Sequence, residues 1–243
     1  MDSFSNREEY RRLAIPEGLC RYRVTLDETD LFIATETDLT DLAVRTVRDT
    51  RKLITEAISR EPAFLTSLHP MKILEDDVPL IRHMKEISSL CHVGPMAAVA
   101  GAVAEAAGRE LAKHSKTVII ENGGDDFMLS PGPVNVGIYA PGSILSGRLM
   151  ITVDAAGGTG VCTSSGTYGH SLSFGRAQAA VVISDDTALA DAAATRLGNM
   201  LKDADRLPGA LEEILKIKGV RGAVAVIDDR IGFMGDVTVS DAS

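Results

Sequence analysis

Asp191 and Thr195 stand four residues apart in the stretch DDTALADAAATRLGN, so on a helix a carboxylate and a hydroxyl share one face. With a loop carbonyl and the phosphate oxygens of a ligand, such a pair suits Mg²⁺, which takes few protein ligands and keeps phosphate or water in its shell. The alternative is that Asp185 or Asp186 caps the helix and Asp191 is simply exposed. Gly123, Gly124 and Asp125 follow an apolar strand candidate. Glycines there expose backbone N–H groups or take positive φ, and the acid can accept from a ribose or base. Thr163, Ser164, Ser165, Gly166 and Thr167 supply hydroxyls and flexible backbone suited to phosphate oxygens. His170, three residues on, is a candidate proton carrier. No GxSxG elbow or Walker-type lysine accompanies them, which argues against a serine hydrolase and a P-loop. His69, His83, His92 and His114 lack metal-ligand spacing.

These residues need elements to hold them. The pattern predicts a small-residue loop over 157–175, a buried strand over 177–184 and a capped helix from Asp185 to Asn199 carrying an inward-facing Asp191 and Thr195. Upstream, residues 1–16 read as a short helix stopped by Pro16. A hairpin follows, with strands 21–26 and 31–35 around the turn Asp27–Asp30. A long helix from about Leu39 to Arg60, capped by Thr37 or Asp38, ends at Pro62. A further helix is expected over 78–90, then the alanine-rich helix 97–113, whose small side chains allow close packing. Strand 117–121 runs into a Gly-Gly-Asp-Asp turn and returns over 127–129. Strands 135–139 and 148–154 come next. Pro208 interrupts, a short helix covers 211–216, and strands 222–227 and 230–234 pair around Asp228-Asp229. Strands pair through turns while helices come in long blocks, so the expected class is α+β, with mixed, mostly antiparallel strands packed on long helices. No linker or short-period repeat interrupts the 243 residues, and one domain is expected.

Composition narrows the classes. The chain is 45% hydrophobic and 24% charged, as ordinary globular proteins are. No stretch reaches the roughly 18 apolar residues of a membrane span. The charged start MDSFSNREEYRRL is no secretory signal, so a cytoplasmic protein without membrane partners is expected. A formal charge of −9, no Trp and 4% aromatics disfavour nucleic-acid binding. The basic cluster Arg45, Arg48, Arg51 and Lys52 reads as a solvated helix face. Cys20, Cys91 and Cys162 are odd in number and widely spaced, which argues against a disulfide or a cysteine zinc site. Cys91 and Cys162 lie beside the candidate loops, where a reactive role would fall.

The order of these pieces carries a resemblance. AAVAGAVAEAAGREL precedes a strand ending ENGGDD, then TSSGTYGH and VVISDDTALADAAATRLG follow. This order resembles the ApbE superfamily of FAD:protein FMN transferases, and more closely a short ApbE-like branch of unknown-function proteins found in archaea and some bacteria. It is clearest over residues 90–235. The resemblance implies an ApbE-like fold, Mg²⁺ on Asp191 and Thr195, and an FAD or FMN nucleotide pocket formed by Gly123, Gly124, Asp125 and the loop Thr163–Gly166. It places His170 where the transferases have a histidine, and it implies FMN transfer to an acceptor protein. The Asp-Pro…Thr-Gly segment that follows that histidine in the transferases is replaced here by SLSFGRAQA, and their lysine-glycine pair has no match around Ala97–Gly101. The alternatives are an accessory protein in sulfide assimilation into homocysteine, which would use Cys91 and Cys162, or a partner-binding protein with a degenerate pocket. A homodimer is expected from the prevalence of symmetric dimers alone.

Overall fold

The computed structural model describes residues 18–166 and 174–241. The expected N-terminal helix, together with Thr167 and His170, falls outside the described residues. Strands β1 (Cys20–Leu26) and β2 (Thr29–Thr35) form the expected hairpin. Its turn is tighter than the pattern suggests, because Asp27 takes φ 50° and closes it with Glu28 alone beside it. Helix α1 (Thr40–Arg60) follows, then a single turn, α2 (Ala63–Thr66). Neither Thr37 nor Asp38 is the N-cap of α1, which is Leu39, but Asp38 accepts from the Thr40 amide at 2.9 Å and so satisfies one orphan donor of the first turn. Helix α3 (Pro79–Cys91) ends with His92 in the left-handed region, and a 3₁₀ turn (Pro95–Ala98) leads into α4 (Val99–Leu111).

Strands β3 (Val118–Asn122) and β4 (Asp125–Leu129) are joined by only two residues, Gly123 and Gly124, at φ 72° and 109°. Positive φ at both centres is what a tight primed hairpin turn needs, and glycine reaches it without steric cost. Asp125 is therefore the first residue of a strand and not part of the turn. Next come β5 (Val134–Ile138), β6 (Leu149–Val153), β7 (Thr159–Ser164) and β8 (Ala179–Ser184). The segment expected to be a loop over 157–175 thus contains a central strand, β7. Helix α5 (Thr187–Met200) carries Asp191, and Asp186 is its N-cap, accepting from the Leu189 amide at 2.9 Å. Helix α6 (Leu207–Ile214) takes Pro208 into its first turn instead of being interrupted by it, since a first-turn proline has no amide to lose. Strands β9 (Val220–Ile227), β10 (Arg230–Gly235) and β11 (Thr238–Asp241) close the chain, with Asp228 at φ 53° in the β9–β10 turn.

The strands make an eight-stranded sheet in the order β1-β2-β3-β4-β7-β8-β9-β10 and a three-stranded sheet in the order β11-β6-β5. Every pairing is antiparallel, so the architecture is α+β, as expected. Successive side chains of the large sheet point to opposite faces, and both faces are covered. Val118, Ile120, Cys162, Val182, Ala223 and Ala225 meet the helices. Ile119, Val161, Val181, Ile183, Val224 and Val226 meet Val136, Ile151 and Val153 of the small sheet. Burial on both faces explains why β8 reads as an unbroken apolar run instead of an alternating one.

Candidate functional site

Helices α4 and α5 lie side by side on the middle of the large sheet, and small residues let them come close. A Cβ on Gly101 would stand 2.3 Å from the Thr187 carbonyl oxygen and 2.9 Å from Asp191 Cβ. A Cβ on Gly160 of β7 would stand 2.5 Å from Thr187 Cα. This close approach delivers Asp191 to the start of α4, where its Oδ2 accepts from the Gly101 amide at 2.9 Å. No residue of the turn preceding α4 caps it with a side chain, so Asp191 is a cap supplied from another helix. Asn122, at the end of β3, fixes the same spot from the sheet side, its Nδ2 donating to the Ala100 carbonyl at 3.0 Å.

The β3–β4 turn comes to this place as well. The Thr163 amide donates to the Gly124 carbonyl at 3.0 Å, tying the end of β7 to the glycine turn. Asp125, 8% exposed, lies across the ladder from Cys162 and within hydrogen-bonding reach of its thiol. The thiol in turn donates to the Thr187 carbonyl at 3.4 Å. The Ser164 hydroxyl is buried and has no hydrogen-bond partner among the described residues. Gly166 is engaged differently: its amide donates to the Ala177 carbonyl at 2.9 Å, so that N–H already has a protein acceptor. Thr195 lies one helical turn beyond Asp191 and is partly buried.

The buried Asp125 and the partly buried Asp191 therefore lie near enough to act on one another electrostatically. Burial raises Asp191 to about 7, against the opposing pull of the Gly101 and Ala100 amides. Burial likewise pushes Asp125 well above the carboxylate range, and the neighbouring Asp191 and Asp126 push it further. Among the described residues no cationic side chain relieves either one. Like charges in a low-dielectric space cannot all be carried at once, so the cluster holds protons near neutral pH or needs a cation. The described residues contain no cluster of three His, Cys, Asp or Glu side chains arranged for a metal. A cation here would draw on Asp191, hydroxyl or carbonyl oxygens and ligand oxygens, a donor set suited to Mg²⁺.

Cys91 and Cys162 behave as packing residues, both being buried. Burial pushes Cys91 up to about 12 and Cys162 well above the ordinary thiol range, the nearby Asp125 adding to the latter. A reactive cysteine needs the opposite shift.

The structure thus brings together Gly123, Gly124, Asp125, Thr163, Ser164 and Asp191, which sequence patterns had singled out separately. It adds Gly101 and Glu105 of α4. Oε2 of Glu105 accepts from the Thr187 amide at 2.7 Å. A glycine inside an alanine-rich helix signals close packing, but nothing in the spacing points to Glu105.

The fold is that of the ApbE flavin transferases. The ApbE protein from Thermotoga maritima matches with a TM-score of 0.59 at 14% identity, over 88% of this chain and 96% of that one. The flavinyl transferase ApbE of Pseudomonas stutzeri, in its apo form, gives 0.56 at 11% identity, over 89% and 94%. At such identities the likeness is one of fold. Sequence relationship is nearer among archaeal proteins: the UPF0280 protein of Methanocella arvoryzae is 37% identical over 209 residues, covering 86% of this chain and 85% of that one. The UPF0280 protein of Methanocaldococcus jannaschii is 39% identical over 187 residues, covering 74% and 75%. A family model described as "AbpE bacteria" matches residues 12–212. The chain belongs to this ApbE-like family, UPF0280.

Proposed function

We propose that the protein is a single ApbE-like domain that binds a flavin nucleotide together with Mg²⁺ where α4, α5, the β3–β4 turn and the end of β7 meet. The observation that carries this reading is the pairing of the buried Asp125 with the partly buried Asp191, beside which no cationic side chain among the described residues balances the charge. Asp191 and Thr195 are the proposed metal-binding side chains, one turn apart on α5. Asp191 spends Oδ2 on the Gly101 amide, and a carboxylate retains further lone pairs for a second partner. Gly123, Gly124 and Asp125 would border the nucleotide, the hydroxyls of Ser164 and Ser165 would face its phosphates, and Thr163 would act through its backbone, whose amide holds the Gly124 carbonyl. Ser164 suits this role because its hydroxyl is buried without a protein partner among the described residues. Gly166 would act through the shape of the backbone, its amide being engaged with Ala177.

When bound, Mg²⁺ supplies Lewis-acid polarisation of a phosphoryl oxygen. The chain itself would orient the nucleotide, shield its phosphates from water and hold a proton on Asp191 until a cation displaces it, while Asp125 keeps its own. The structural neighbours named as flavin transferases support a specific reaction class: transfer of the FMN portion of FAD to an acceptor-protein hydroxyl, with release of AMP. His170 is the proposed proton carrier for that hydroxyl.

The test is a fluorescence titration of FAD with and without MgCl₂, on the unaltered chain and on Asp191→Asn. Asparagine keeps an acceptor for the Gly101 amide but removes the charge. The reading expects Mg²⁺-dependent quenching that the variant loses while staying folded; FAD binding of equal strength with or without Mg²⁺, or none, sinks it.

A further inference from the structure

Helices α4 and α5 cap one another. Asp191, in the second turn of α5, takes the Gly101 amide in the first turn of α4. Glu105, one turn further along α4, takes the amide of Thr187, the first residue of α5, at 2.7 Å. The other oxygen of Glu105 accepts from Arg109 Nε at 3.1 Å and Nη2 at 3.0 Å. Arg109 Nη2 also donates to the Asp185 carbonyl at 3.1 Å. The Glu105–Arg109 pair therefore grips residues 185 and 187 where α5 begins. Asp186 cannot replace it, since its own carboxylate is committed to the Leu189 amide and to His83 Nε2, at 2.9 Å each.

No side chain spaces the two helices at Gly101, so sliding of α5 along α4 is opposed by backbone contact and by these two reciprocal caps. We infer that Glu105 is a positioning residue: by holding the first amide of α5 it fixes Asp191 against the start of α4, and so sets how well Asp191 holds a cation. The consequence for the cation rests on the flavin–Mg²⁺ reading above; the consequence for Asp191 does not. Thr187 is fully buried, so losing Glu105 would strand its amide without an acceptor and draw the start of α5 toward another partner. Outer partners that orient a ligating carboxylate are typically worth about 10- to 100-fold in metal affinity.

Glu105→Ala and Glu105→Gln separate positioning from mere stability, because glutamine keeps an oxygen for the Thr187 amide. Two readouts are taken well below the unfolding transition: Mg²⁺ affinity in the presence of FAD, and amide hydrogen exchange at Gly101 with Val181 of β8 as reference. Glu105→Ala should weaken Mg²⁺ by about tenfold or more and speed exchange at Gly101 while Val181 is unchanged. Glu105→Gln should restore most of both. Unchanged exchange at Gly101 in Glu105→Ala, or equal defects in the two variants, overturns the positioning role. Should the unaltered chain show no Mg²⁺-dependent binding, the flavin–Mg²⁺ reading fails alone, and exchange at Gly101 still decides whether Glu105 holds Asp191.

Discussion

A methyl group added at Gly101 would sit 2.3 Å from the Thr187 carbonyl oxygen and 2.9 Å from Asp191 Cβ. In an ordinary helix interior, Gly→Ala stabilises by roughly 0.5–1 kcal/mol through backbone entropy. Here the obstacle is a backbone oxygen, which cannot rotate aside as a side chain does. Overpacking of a close-packed contact costs typically about 1–3 kcal/mol, and a backbone obstacle belongs at the upper end. The net effect of Gly101→Ala is then a loss of about 2 kcal/mol, which lowers the Tm of a chain this size by roughly 4–8 °C. Forcing α5 outward also lengthens the Asp191–Gly101 bond, so Mg²⁺-dependent FAD binding should weaken in the surviving folded protein. The assay is thermal unfolding by circular dichroism, with Gly132→Ala as control, since nothing lies within 4 Å of a Cβ there. A Gly101→Ala variant as stable as the parent would refute the close crossing of α4 and α5, and with it the placement of Asp191.

Native protein treated with iodoacetamide near pH 8 should be alkylated at Cys20, which is exposed, and spared at the buried Cys91 and Cys162 until it unfolds; peptide mass spectrometry reads this directly. Lys85 is fully buried with its ammonium 2.9 Å from Asp77 and 2.7 Å from Glu61, so Asp77→Ala should destabilise by about 3 kcal/mol, measured by urea unfolding. His83, which pairs with Asp186, is raised above its usual value by that hydrogen bond. Its contribution to stability is fully present below the unfolded histidine pKa and is lost as pH rises through the higher folded one. The stability gap between the parent and His83→Gln should therefore be open near pH 6 and closed near pH 9.

The parts of this fold that were legible in the sequence are the local ones. The Gly123-Gly124 and Asp228-Asp229 turns, the long α1 and the Asp186 cap all follow from neighbouring residues, whose backbone preferences decide the outcome within a few positions. Strand β7 was hidden because its helix-facing positions, Gly160, Cys162 and Ser164, are small or polar. They are so because α5 lies close on top of them, a tertiary demand that imitates a loop composition. The separate sheet of β5, β6 and β11 was hidden for a related reason, since β11 pairs with β6 across more than eighty positions of chain. The site itself was half visible. Its residues could be picked out by type and family resemblance, but the Asp191–Gly101 contact spans 90 residues and the Glu105–Thr187 contact 82, separations at which spacing says nothing.

The central claim is that a cation displaces a proton from Asp191 when the flavin nucleotide binds. Calorimetric titration of FAD with MgCl₂ at pH 6, repeated in two buffers of different ionisation enthalpy, counts that proton. With Asp191 raised to about 7, most molecules hold it at pH 6, so close to one proton should be released per nucleotide bound, falling toward zero by pH 8.5 and absent in Asp191→Asn. Mg²⁺-dependent binding that releases no proton at pH 6, or the same number at both pH values, would contradict the account.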